Sequence, residues 1–200
     1  AGLPVLPTPG YTFLHAVNTT LFAGAFGVGV YRSGDGGGTW GLLEGGPLFV
    51  CRCATFGGAI VVTSNKTVMG YQYQYRQNGT WADMTPNPLH NESYTGVAVD
   101  PSDPTGLYVA VGPGDGHSDY EEPIYKLRSG TMTSSSWDVI NDVTRITKHS
   151  SVPWWLARQF SSATSALLFR GDALLASTWY GVWLGDATTG FQHWWTHEKG

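Results

Sequence analysis

One pattern of short apolar segments and turns comes round four times in this chain of 200 residues. The interval is roughly 50 residues, and a unit of that size cannot bury its own faces, so neighbouring copies must stack on one another. Each copy offers three strand-like segments and a fourth that opens at a tryptophan. The first runs Thr12 to Val17, Leu21 to Phe26, Gly29 to Ser33, then Trp40; the second Phe49 to Ala54, Ala59 to Ser64, Gly70 to Arg76, then Trp81. The third offers Tyr94 to Val99, Leu107 to Val111, Ile124 to Ser129 and Trp137, and the fourth Ser165 to Phe169, Ala173 to Thr178, Gly181 to Asp186 and Trp194 or Trp195. Twenty-seven Gly, 11 Pro and 27 aromatic residues (9 Trp, 10 Tyr, 8 Phe) accompany few Leu/Glu/Lys-rich periodic stretches. That composition describes short strands joined by tight turns, an all-β chain.

Within the first copy, Ser33-Gly34-Asp35-Gly36-Gly37-Gly38-Thr39-Trp40 reads Ser-x-Asp-x-Gly-x-Thr-Trp, the turn known as an Asp box. The Asp35 carboxylate is placed to accept hydrogen bonds from the amides of its own turn, and the glycines permit positive φ where a Cβ would clash. Trp40 is then expected to open the next strand and plug a core. Residues 21 to 43 resemble one blade of the Asp-box (bacterial neuraminidase repeat) β-propellers, a group that spans sialidases, sortilin-like receptors and xyloglucan-degrading glycosidases. The resemblance makes Ser33, Asp35, Gly37, Thr39 and Trp40 structural residues. Only the first copy keeps the whole motif; the second and third are reduced to Asn78-Gly79-Thr80-Trp81 and Ser134-Ser135-Ser136-Trp137. The expected fold is an all-β propeller of about four four-stranded blades, within the usual range of roughly four to eight. A segment of a larger propeller, or half of a ring closed by a partner, fits the same pattern. A Pro-rich leader (1–10) would precede blades at about 11–46, 47–86, 93–142 and 164–200, with an insertion at 143–163.

Asn18, Asn65, Asn78 and Asn91 each begin an Asn-x-Ser/Thr sequon in an expected turn, four of the six asparagines present. That share points to N-glycosylation of a secreted protein. No apolar run reaches the length of a membrane span, and Ala1-Gly2-Leu3-Pro4 suits a mature terminus. Cys51 and Cys53 lie two apart on one expected strand, with Cα atoms about 6.5 Å apart and near-parallel Cβ vectors, so a bridge between them would need a bulge. Free buried thiols, bonds to another chain and a reducing compartment are the readings left open. A formal net charge of −4 with 13% charged residues excludes a generic nucleic-acid binder, which would show a basic face.

Antiparallel order sends the second-to-third turns and the inter-blade links to one end of such a fold, and the Asp-box turns to the other. The two long insertions, Gly112 to Pro123 and Asn141 to Thr164, therefore share one end, next to each other. Loops carried on a rigid scaffold make this the first place to look for function. Asp115, His117, Asp119, Glu121 and Glu122 put four carboxylates and an imidazole into the first insertion. Solvation, a cation site and acid–base cleavage of a glycoside all fit such a loop. Calcium is the one cofactor the alternation brings up, although Tyr120 stands where an EF-hand loop needs Gly. Trp154 and Trp155 in the second insertion, with Trp179 and Tyr180 in the second-to-third turn of the fourth copy, either cover the core or stack against sugar rings.

Catalytic residues of the resembled families do not carry over. Sialidases need an early Arg-Ile-Pro segment, absent here, and xyloglucan-degrading relatives typically place an Asp in the turn that reads Ala25-Phe26-Gly27-Val28 in this chain. Nucleophile, phosphate-loop and zinc signatures are missing as well. Arg170-Gly171-Asp172 falls on an expected turn and reads as turn chemistry before adhesion. The chain is thus read as a non-catalytic extracellular interaction or assembly module, with a glycoside hydrolase or carbohydrate-binding domain as the alternative. Extracellular glycans or further copies of itself are the partners expected, the latter through the terminal segments.

Overall fold

The computed structural model describes residues 2–6, 10–72, 79–86, 93–103, 105–112, 124–129, 136–140, 164–178, 181–186 and 190–195. Four antiparallel four-stranded sheets follow one another along the chain, each a meander whose sequential strands are neighbours. The first holds β1 (Tyr11–Val17), β2 (Thr20–Ala25), β3 (Gly29–Ser33) and β4 (Gly41–Leu42). The second holds β5 (Val50–Phe56), β6 (Ala59–Ser64), β7 (Val68–Gln72) and β8 (Trp81–Asp83); the third β9 (Tyr94–Val99), β10 (Leu107–Val111), β11 (Ile124–Ser129) and β12 (Ser136–Val139). β13 (Ala166–Arg170), β14 (Ala173–Thr178), β15 (Gly181–Asp186) and β16 (Gly190–Trp195) form the fourth. The third strand of the second copy starts at Val68 rather than Gly70 and is described to Gln72; its expected continuation to Arg76 lies outside the described residues.

Alternation along each strand decides what stacks on what, because successive side chains point to opposite faces of a sheet. Phe22 and Val30 of the first sheet meet Val50, Ile60, Val62 and Tyr71 of the second in one buried cluster. The other face of β6, through Ala59 and Val61, meets Tyr94, Leu107, Val109 and Val111 of the third sheet. Tyr108 and Ala110, on the far side of β10, meet Leu167, Leu174, Ala176 and Trp183 of the fourth. Three apolar seams therefore join four sheets in series. The innermost strands follow suit: β5 packs against β1 and β9, and β9 against β13, whereas β13 has no comparable contact with β1.

Cys53 packs into the seam between the first two sheets, and burial pushes its thiol above the ordinary range. Cys51 sits at the irregularity between Val50 and Arg52 in the β5–β6 register. The bulge required for a bridge is thus present, yet both thiols are free. Among the described residues no helix is long and apolar enough to cross a membrane.

Candidate functional site

Strand direction sorts the connections to two ends of the molecule. At one end lies the β3–β4 turn. Ser33 Oγ donates to Asp35 Oδ1 at 2.8 Å and accepts from Gly37 N at 2.8 Å. Thr39 donates twice to Asp35, from N to Oδ1 at 2.8 Å and from Oγ1 to Oδ2 at 2.7 Å. Gly37 holds φ at 101°, a left-handed value that a Cβ strains. The Thr39 amide, then the Thr39 and Ser33 hydroxyls, hold the Asp35 carboxyl far below the usual carboxylate range. Its oxygens serve the turn.

Trp40 departs from expectation. It stays half-buried with Nε1 donating to the Gly37 carbonyl at 3.0 Å, and it belongs to none of the three seams. Trp81 and Trp137, which head or enter the fourth strand of the next two sheets, do pack into the seam with the preceding sheet. Among the described residues no sheet stacks on the side of the first one where Trp40 lies, so Trp40 is left without the seam that Trp81 and Trp137 enter.

The opposite end carries the second-to-third turns and the links between sheets, tied by a run of hydrogen bonds. Phe26 N donates to Gly10 O at 3.1 Å, Gly27 N to Leu48 O at 2.8 Å, and Asn65 N to Phe49 O at 3.0 Å. Ser93 Oγ then donates to Asn65 Oδ1 at 2.7 Å, and Gly112 N to Ser93 O at 2.8 Å. Thr95 Oγ1 closes the run on the Thr164 carbonyl at 2.5 Å. Gly112 begins the first insertion and Thr164 ends the second, so both are anchored on Ser93 and Thr95. A Cβ on Gly112 would lie 2.2 Å from Thr95 Oγ1, which makes glycine obligatory for this approach. Thr164 is buried with its own hydroxyl unpartnered.

Asp115, His117, Asp119, Glu121 and Glu122, together with Trp154, Trp155, Trp179 and Tyr180, lie outside the described residues. Their flanks do not: Gly112 and Thr164 meet at Thr95. Thr95 carried no signal of its own in the sequence, since a Thr in a strand gains this role only from the sheet order. The same end presents a second feature that the residue pattern did not reveal. Phe26 and Phe49, both exposed, meet edge to face with ring centroids 5.3 Å apart, beside the exposed Leu48.

Of the sequon residues, Asn18 is exposed in the β1–β2 turn at φ 55°, a conformation asparagine tolerates. Asn65 is exposed between β6 and β7, on the end that carries the insertions; Asn78 and Asn91 lie outside the described residues. Among the described residues no cluster of three or more His, Cys, Asp or Glu side chains is placed to hold a metal. His15 hydrogen-bonds through Nε2 to Thr55 Oγ1 at 2.7 Å across the first seam, and burial lowers its pKa, which keeps the ring neutral and structural.

This architecture is found in known structures. A GH74 xyloglucanase from Xanthomonas campestris superposes with a TM-score of 0.63 at 17% identity, over 93% of this chain and 30% of that one. The extracellular domain of a putative one-component system from B. thetaiotaomicron gives a TM-score of 0.64 at 16% identity, over 99% and 24%. The chain is a β-propeller. Its four sheets are blades, and they span about a quarter to a third of the length of those two chains. A computationally designed protein, Ika4, also matches, with a TM-score of 0.51 at 14% identity over 90% of this chain and 92% of that one. No protein-family model and no curated protein matches the sequence.

Proposed function

We propose that this chain is a secreted, N-glycosylated propeller domain of the Asp-box kind that binds glycan chains at the end carrying Thr95, Gly112 and Thr164, and does not cleave them. The observation that carries this reading is the Phe26–Phe49 pair. In the turn where xyloglucan-degrading relatives typically place an Asp, this chain sets an exposed aromatic ring braced by a second ring at 5.3 Å. A ring there supplies an apolar surface for the face of a sugar and no group for proton transfer. The likeness in fold to a xyloglucanase supports the same class of ligand, and the likeness to a bacterial extracellular domain supports the extracellular reading. Asn18 and Asn65, both exposed, are sites for the chain's own sugar.

Polysaccharide fragments on an array test the reading directly. Retention without release of new reducing ends is expected, and Phe26→Ala with Phe49→Ala should abolish it. Absence of retention for every polysaccharide would sink glycan binding. Turnover that disappears in variants of Asp115, Asp119, Glu121 or Glu122 would establish a glycoside hydrolase instead, for which the meeting of Gly112 and Thr164 at Thr95 is the favouring observation. Peptide mass spectrometry of material from the native source should find hexose-bearing Asn18 and Asn65; both unmodified would overturn the secretory assignment.

A further inference from the structure

The two outer faces of the blade series are unlike every face between blades. Position by position, the middle strands align Phe22, Val61 and Tyr108 with Leu175, all pointing toward the next blade. The first three are 0%, 0% and 3% exposed; Leu175 is part-exposed. It stands in a row across the fourth blade, paired with Leu168 on β13 and Leu184 on β15. Leu168 is 64% exposed, Leu184 like Leu175 is part-exposed, and none of the three belongs to a seam between blades. β14 consequently alternates between half-exposed and buried positions, whereas β6 is buried at all six.

The first blade shows the converse face, the one that in later blades receives its predecessor. Leu14 occupies there the place that Leu167 fills in the fourth blade, yet it is 68% exposed against 8%. Leu42 is exposed too, and Tyr11 and Tyr31 meet edge to face beside them at 6.4 Å. Trp40 lies on this face, where its counterparts Trp81 and Trp137 dock on a preceding blade. The leader covers a part of it: Leu3 lies beside Tyr11, Leu14 and Ala23, and Tyr11 Oη donates to the Pro4 carbonyl at 2.7 Å.

One open face is therefore the giving half, and the other the receiving half, of an interface that the chain makes three times internally. Because β13 makes no contact with β1 comparable to those between successive blades, the two halves do not meet among the described residues. We propose that they meet between two copies: the leucine row of each copy packs on the Leu14–Tyr31–Trp40 face of the other, head to tail, closing a ring of two chains. The continuity of this contact with the established seams is what selects a second copy as the occupant. Heterologous contacts generate rings where the rotation closes, and two arcs of four give eight blades, at the upper end of the usual range of roughly four to eight.

Light scattering of the purified chain should report twice the chain mass and no larger species. Leu168→Asp combined with Leu175→Asp should halve that mass while circular dichroism retains the strand signal. Leu14→Asp, on the other face, should halve it as well, which a face pairing with its own like would not show. Leu48→Asp, exposed at the loop end and on neither face, should leave two chains together. A wild-type protein of one-chain mass, an open series of masses above two, or a two-chain species that survives either set of substitutions would overturn the proposal.

Discussion

β6 and β14 are nearly the same strand in composition, Ala59-Ile60-Val61-Val62-Thr63-Ser64 against Ala173-Leu174-Leu175-Ala176-Ser177-Thr178. All six positions of β6 are buried because a blade stacks on each side of it; in β14 only Leu174, Ala176 and Thr178 are buried, because a blade stacks on one. Continuous apolar runs are written for strands covered on both faces. The contrast teaches that burial on both sides is a property of the neighbours a strand finds, and that a run of this type with one bare face marks an interface.

The comparison is broken most severely at its buried member. Val61→Asp places a carboxylate in the seam between the second and third blades with no partner, a change of about 4 kcal/mol or more. Loss of the cooperative thermal transition is expected, and a folded variant with a near-native melting temperature would show that the seam is wetter than its packing says.

A tighter test lies where Gly112 and Thr164, the flanks of the two insertions, meet. Gly112→Ala drives a Cβ into Thr95, whose branched side chain has little room to turn aside, at a cost of about 1–3 kcal/mol. Thr95→Ala in the same chain should restore much of the loss, because it removes the atoms that clash. Urea titrations of the two single variants and the double variant give the coupling; strict additivity would mean that Gly112 is not held against Thr95.

The Asp35 turn, at the end away from the insertions, gives a smaller effect with a distinctive dependence on pH. Its carboxyl is depressed in the folded chain, mainly by the Thr39 amide. The contribution to stability is therefore fully present above the ordinary carboxylate pKa of about 4 and is lost as pH falls through the lower folded value. Asp35→Asn should lower the melting temperature at neutral pH, with the gap to the parent closing only in strong acid. Thermal melts across that range would show a constant gap if the carboxylate were not the group responsible.

The smallest change belongs to β14. On the single-chain Leu14→Asp background, Leu175→Ala should cost about 1 kcal/mol, since the side chain is already part-exposed. Val61→Ala should cost about 2 kcal/mol although it removes fewer atoms, because it leaves a cavity. Denaturant midpoints in which Leu175→Ala proves the costlier substitution would mean that its face is covered within one chain.

Much of the architecture was legible in the residues. The fourfold recurrence, and the strands 59–64, 94–99, 107–111, 124–129, 173–178 and 181–186, could be read directly, because apolar runs of that length bounded by Gly, Asn and Asp have few other folds open to them. The Ser33–Trp40 turn was legible for a local reason: all its hydrogen bonds close within four residues. Three things were decided only by the tertiary structure. Trp40 is half-buried while Trp81 and Trp137 enter seams, because among the described residues a neighbouring blade packs on the latter two alone. Thr95 meets both Gly112 and Thr164, and Phe26 meets Phe49, because the sheet order brings together segments distant in the chain. The partly exposed row Leu168–Leu175–Leu184 could not be told from a core row by its residues, since hydrophobic side chains specify that a face will be covered and leave to the assembled fold what covers it.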